Sequence, residues 1–391
     1  NKLQFDIKEP GDRNSYSNQI IRAERNGETI TMTGDKLILN VIQQNYNGTN
    51  SATEKSFSTS IYSKSSSGVI LNVEKTTINV ASNIKENLDS SGMTADNGGN
   101  IEVNGDLNIT VDTGKQGYGI LTNKSGKVIL NGDNNIKVAG GAETPYMAGI
   151  RSDDMDNTKG TSFIFNGNST EINTILNDAK DYSFVNGILS EKDIQFNNHD
   201  VLTINTNLNT SNYSKNIGIE MIKEGILNID SNQTIITVNT TGNTSRYGTS
   251  SYGIRIAPPS ISSDGRGAGS VHIKKGTNIS VSSTNGSTYG IQATGYRNDQ
   301  GGGIVEILGN NLVVSSFSAN KNAYGVCSDS TNNVNDSGKI SIESLNNKIT
   351  AETKESSGKS YAVSNQDGVN GEVNIKGNNY IEAKAPLKDN A

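Results

Sequence analysis

Eight short segments built on Tyr-Gly-Ile or a relative of it recur along the chain, and their spacing constrains the fold more than any other feature. They are Tyr118-Gly119-Ile120, Ala148-Gly149-Ile150, Asn186-Gly187-Ile188, Ile217-Gly218-Ile219, Tyr252-Gly253-Ile254, Tyr289-Gly290-Ile291, Tyr324-Gly325-Val326 and Tyr361-Ala362-Val363. Their central residues are separated by 30, 38, 31, 35, 37, 35 and 37 positions. After each anchor come two apolar-alternating stretches joined by Asn and Gly. Clear examples are Val128-Ile129-Leu130-Asn131-Gly132-Asp133-Asn134-Asn135-Ile136-Lys137-Val138 and Ile304-Val305-Glu306-Ile307-Leu308-Gly309-Asn310-Asn311-Leu312-Val313-Val314. A further copy begins at Val373, and weaker ones begin near Thr29, Val69, Ile101, Phe163, Ile194, Ile226, Val271 and Ile340. Strands at such even, long separations cannot close as hairpins. They pair in parallel, and a parallel pair needs a crossover.

The reading that satisfies these spacings is an all-β, right-handed parallel β-helix with three short strands per coil and about eleven coils, each advancing ~4.8 Å, in a rod on the order of 50 Å long. Residues 1–391 form one solenoid domain in this reading. Composition agrees once patterning is considered. Hydrophobic residues make up 32 % and aromatics 5 %, with no Trp, a poor supply for a wide globular core. A narrow core filled by Ile, Val and Leu on strands needs less. Within the strands, Val305 and Ile307 are expected to face inward. The Asn and Gly at the corners are expected to supply positive or bridging backbone angles, with Asn side chains bonding along the rod. Tyr252, Tyr289, Tyr324 and Tyr361, one per coil, are expected to stack as a ladder.

Charge and chemistry narrow the function. Lys and Arg total 34 against 40 Asp and Glu, a net −6 without a basic block, so no nucleic-acid partner is expected. The one cysteine, Cys327, precludes an internal disulfide and has no His or basic neighbour in sequence that would make it reactive. Two histidines, His199 in an Asn-Asn-His-Asp turn and His272 outward on a strand, do not make a protease constellation. They do not make a soft-ligand metal site either. The acidic run Arg151-Ser152-Asp153-Asp154-Met155-Asp156-Asn157 lacks the Gly and terminal Glu of a helix-loop-helix calcium loop, and is expected to be solvated. No catalytic residue, metal site or cofactor is therefore assigned. No apolar run approaches membrane-helix length, so direct membrane insertion of this segment is not expected.

The tandem units Ser125-Gly126-Lys127-Val128-Ile129-Leu130, Ser337-Gly338-Lys339-Ile340-Ser341-Ile342 and Gly371-Glu372-Val373-Asn374-Ile375, together with the anchors, resemble the passenger domains of monomeric bacterial autotransporters, whose rods share the pectin-lyase-like β-helix. The likeness covers nearly the whole chain. It implies display on the surface of a Gram-negative-type bacterium or secretion. It also implies a signal peptide and C-terminal translocator barrel lying outside this sequence, and adhesion or self-association as the activity. Trimeric autotransporters fit poorly, because sustained heptads are missing.

The longest insertions after an anchor run from Ala257 through Gly269, from Thr294 to Gln300, and from Ser328 through Gly338. Stacked coils place loops from one corner side by side. Arg255, Asp264, Arg266, Tyr296, Arg297 and Asp299 are therefore the candidate ligand-binding residues, suited to sugars and acidic groups. The expected partner is a host-surface glycan or protein, or the same protein on a neighbouring cell. The alternative is a glycan-processing β-helix enzyme resembling polysaccharide lyases.

Overall fold

The computed structural model describes residues 2–9, 17–43, 56–82, 88–114, 116–141, 144, 146–153, 160–179, 182–210, 214–242, 249–257, 268–295, 303–330, 338–366 and 371–386. Among them there is no helix, and every strand pairing is parallel. The chain is a parallel β-solenoid of about nine turns. The sequence units number about eleven. The difference lies at the ends: the nine anchor strands from Ser56–Lys64 to Ala323–Ser330 each have a parallel neighbour on both sides, while the first and last windings are flanked on one side only.

Two sheets wrap the core. One, the anchor sheet, stacks the Tyr-Gly-Ile strands, among them Gln116–Asn123, Tyr146–Asp153, Ser183–Ser190, Ser214–Ile222, Thr249–Ala257, Gly286–Gly295 and Ala323–Ser330. The other, the long sheet, takes the paired stretches. Some windings keep these as two strands, as in Lys127–Leu130 and Asn134–Gly140. Others run through the Asn-Gly corner as one bent strand, as in Asp193–Thr210 and Ile304–Ser318. Three strands per coil therefore holds in part of the rod and becomes two where the corner is shallow enough for the ladder to continue.

Alternation fills the core. Val305 and Ile307 are buried, whereas Ile304 and Leu308 are 42 % and 37 % exposed, as expected of inward and outward positions. One column holds Leu39, Ile78, Ile109, Ile136, Ile172, Ile204, Ile236, Ile279, Val314 and Ile349, successive partners in register and all buried.

This column explains the anchor glycine. A Cβ on Gly119, Gly149, Gly187, Gly218 or Gly253 would lie 2.1 to 2.4 Å from the Cγ2 of Ile136, Ile172, Ile204, Ile236 or Ile279. It would also lie 2.5 to 2.8 Å from the carbonyl of the glycine one coil on. The glycine has no pairing partner in an otherwise continuous register. Only hydrogen fits between the two sheets at this point.

The corner residues depart from expectation in part. Of the corner glycines, Gly105, Gly132 and Gly167 do not adopt positive φ. They form a column in which an added Cβ would meet the backbone of the preceding coil at 1.9 to 2.4 Å. Beside them, Asn104, Asn131, Asn166 and Asn197 each donate Nδ2 to the Oδ1 of the asparagine one coil earlier, at 2.6 to 2.9 Å, from Asn72 onward. The amides thus bond along the rod, as the sequence leads one to expect; close stacking selects Gly105, Gly132 and Gly167, while Gly309 and Gly377 further along, with φ of 156° and 117°, and Asn198, with φ of 54°, take the positive angles expected of the corners. Among the Asn-Asn pairs, Asn346 bonds Asn311, Asn378 bonds Asn346, and Asn347 bonds Asn379. Asn134 instead points inward and donates to the Gly132 carbonyl at 2.9 Å.

Candidate functional site

Two residues of each anchor, the one before the glycine and the one two places after it, lie on the side away from the main core and stack into columns. The second column reads Tyr62, Thr94, Leu121, Arg151, Leu189, Glu220, Arg255, Gln292, Cys327, Ser364, each paired with the next. In the first column the tyrosine ladder is present. Tyr252 and Tyr289 stack with centroids 4.9 Å apart, Tyr289 and Tyr324 at 4.6 Å, and Tyr324 and Tyr361 at 5.4 Å, all within 13° of parallel. These distances follow the coil rise, so each inner ring has both faces covered by its neighbours and turns only edges outward. Flat stacking of a sugar on an inner ring is thereby ruled out by geometry.

Arg255 sits at the head of this ladder. Its guanidinium carbon lies 5.0 Å from the centre of the Tyr252 ring, and Nη1 donates to Glu220 Oε1 at 2.5 Å. Glu220 is 6 % exposed, and its other oxygen accepts from Asn186 Nδ2 at 3.0 Å. A second arginine repeats the arrangement: Arg151 lies 5.0 Å over Tyr118, donates to the Tyr118 hydroxyl at 2.6 Å and pairs with Asp153 at 2.8 Å. In both places a carboxylate neutralises the guanidinium, and the tyrosine ring screens it.

Between these two arginines lies a third group. Tyr146, 41 % exposed, stacks on Phe184 at 5.0 Å and 3°, and Lys215 holds its Nζ 5.4 Å from the centre of the Phe184 ring. Burial, with Arg255 nearby, lowers the Lys215 pKa from the ordinary lysine range. Tyr146, Phe184 and Lys215 occupy matching positions in three successive coils.

Of the six candidates read from sequence, Arg255 is thus placed on the outer face and already engaged by Glu220 and Tyr252. Asp264, Arg266, Tyr296, Arg297 and Asp299 lie outside the described residues. So do Asp154, Met155, Asp156 and Asn157. The strands from which the insertions depart do align, since Ile256 pairs with Ala293, Ala293 with Ser328 and Gly295 with Ser330. The sequence reading passed over Tyr146, Phe184, Lys215 and the Tyr118–Arg151 pair. Their signal was present only in the alignment of the anchors, which puts Tyr146, Phe184 and Lys215 in one column and Tyr118 and Arg151 in two others.

The remaining reactive side chains are elsewhere. Cys327 belongs to the outer column yet is fully buried, and burial pushes its thiol up to about 12. His199, expected in a turn, is buried inside the strand Asp193–Thr210, where it shares a hydrogen bond with Thr170 at 3.0 Å and meets the Phe196 ring edge-on at 5.4 Å. Burial lowers its pKa. His272 is outward as expected, with Nδ1 2.9 Å from Glu306. Among the described residues, no three His, Cys, Asp or Glu gather as metal ligands, and no helix is long and apolar enough to cross a membrane.

Compared with protein-family models, curated proteins and solved structures, the chain matches none.

Proposed function

We propose that this chain is a surface-displayed or secreted passenger of the autotransporter kind, acting as an adhesin that binds host-surface glycans or proteins, or a second rod on a neighbouring cell. The observation that carries the reading is the outer face of the anchor sheet. Tyr118 with Arg151, Tyr146 with Phe184 and Lys215, and Tyr252 with Arg255 place aromatic and cationic side chains on five successive coils of a chain whose net charge is −6. Aromatic and Arg side chains carry much of the affinity at protein recognition surfaces. A long regular rod also repeats its contacts, so weak individual contacts add up through multivalency. The strands that launch the longest insertions end in register at the edge of the same sheet.

Beads coated with the purified chain test the reading. They are expected to adhere to immobilised host-cell glycans or matrix proteins, or to clump with one another. Beads that do neither would remove the adhesin reading. Release of shortened or unsaturated sugars from a polysaccharide would replace it with a glycan-processing enzyme.

A further inference from the structure

Among the described residues, these aromatic and cationic side chains include one cation, Lys215, that lies outside ion-pair distance of any carboxylate. Glu220 has both carboxylate oxygens occupied, one by Arg255 and one by Asn186. Asp153 is taken by Arg151. Lys215 makes its described contact with the π face of Phe184, and among the described residues no carboxylate lies within ion-pair distance of its Nζ. Burial and the neighbouring Arg255 guanidinium both disfavour this half-buried ammonium, and Glu220, already engaged by Arg255 and Asn186, offsets them only in part. An arriving anion would offset the remainder, with the exposed Tyr146 forming an apolar wall one coil beyond Phe184.

Resting on the adhesin reading above, we infer that the anchor-sheet face around Lys215, Phe184 and Tyr146 binds the carboxylate or sulfate group of an acidic oligosaccharide. An acidic peptide is the weaker fit. Extended peptides gain much of their affinity by pairing with unsatisfied backbone at a sheet edge. Here the strands Ser183–Ser190, Ser214–Ile222 and Thr249–Ala257 are hydrogen-bonded to neighbours on both sides, so the face presents side chains alone. An oligosaccharide needs only side-chain contacts: a charge partner for its acid and an apolar rim for its ring carbons.

The test uses the whole chain with four probes in a calorimeter or by fluorescence anisotropy: a sulfated oligosaccharide, a uronate oligosaccharide without sulfate, a neutral oligosaccharide of equal length, and a poly-glutamate peptide. Binding of one or both acidic oligosaccharides over the neutral one is expected, and which of them binds identifies the anion. Lys215→Gln is expected to weaken binding roughly tenfold, the scale of one charge-assisted contact, and Lys215→Glu to abolish it. Lys348→Gln, which removes another cation held over a ring, that of Tyr380, is expected to leave binding unchanged. Thermal melts of each variant verify folding. Equal binding of the neutral probe, tighter binding of a poly-glutamate peptide, parent-like affinity of Lys215→Glu, or no binding by the parent chain each overturns the site. Bead adhesion run with Lys215→Glu separates the two proposals. If the variant adheres like the parent, this site is wrong and the adhesin reading stands. If the parent itself does not adhere, the broader reading falls.

Discussion

Replacing the anchor glycine in mid-rod is the most direct probe of what holds this solenoid together. In Gly253→Ala the new methyl would lie 2.3 Å from Ile279 Cγ2 and 2.5 Å from the Gly290 carbonyl oxygen. Neither neighbour has room to retreat: Ile279 is fully buried, and Gly290 is the next anchor in the stack. The two sheets must separate locally, or the strand must shift and lose register with the coils on either side. Overpacking of this kind costs about 1–3 kcal/mol in ordinary cores, and the backbone contact puts Gly253→Ala at the upper end. Gly141→Ala is the control, since nothing lies within 4 Å of its Cβ position. There, reduced freedom of the unfolded chain should leave stability unchanged or raise it by about 0.4–1 kcal/mol. Urea titration followed by circular dichroism gives the difference. Hydrogen exchange shows whether loss of protection centres on Thr249–Ala257 and its two neighbours, as nearest-neighbour coupling in repeat proteins requires. If Gly253→Ala is as stable as the parent within about 0.5 kcal/mol, the size of ordinary surface substitutions, the space argument for the anchor motif is wrong.

Three further outcomes follow from the same geometry. Tyr289→Ala removes two stacked contacts and is expected to cost about 1–3 kcal/mol from stacking at 0.5–1.5 kcal/mol per pair, while Tyr361→Ala, with one described partner, should cost about half as much in the same titration. His199 has a folded-state pKa below its unfolded value, so the folded chain binds fewer protons there. Its contribution is fully present above about pH 6.5 and lost as pH falls toward the folded pKa, and stability measured from pH 7.5 down to 5 should decline less steeply in His199→Gln. Cys327, with its thiol pushed up to about 12 and its side chain buried, should resist iodoacetamide at pH 8 in the folded chain and react promptly in 6 M guanidinium; rapid labelling without denaturant would contradict the burial.

Much of this architecture was readable along the chain because a solenoid writes its third dimension into one-dimensional spacing. Anchors about 35 residues apart, alternation at Val305 and Ile307, and one tyrosine per coil lead to parallel coils, inward faces and a ring ladder without any knowledge of contacts. Those features depend on period alone. The candidate site was less legible. Arg255 was singled out for the loops that follow it, yet its partners are Glu220 and Tyr252, one from the previous coil and one from its own strand. The Tyr146, Phe184 and Lys215 stack gave no local signal, since its members are an aromatic, an aromatic and a lysine in three different coils.

The division between the two kinds of information has a physical cause. Strand period, parallel pairing and the order of inward and outward residues are properties of neighbours along the chain, and the amino-acid sequence by itself determined them. Why Gly253 must be glycine, why Gly105, Gly132 and Gly167 stack without positive φ, why His199 is buried, and which carboxylate each arginine meets were decided only by the tertiary structure. These depend on the distance between two sheets and on the register of coils tens of residues apart, and both are set only when the whole cross-section closes and packs.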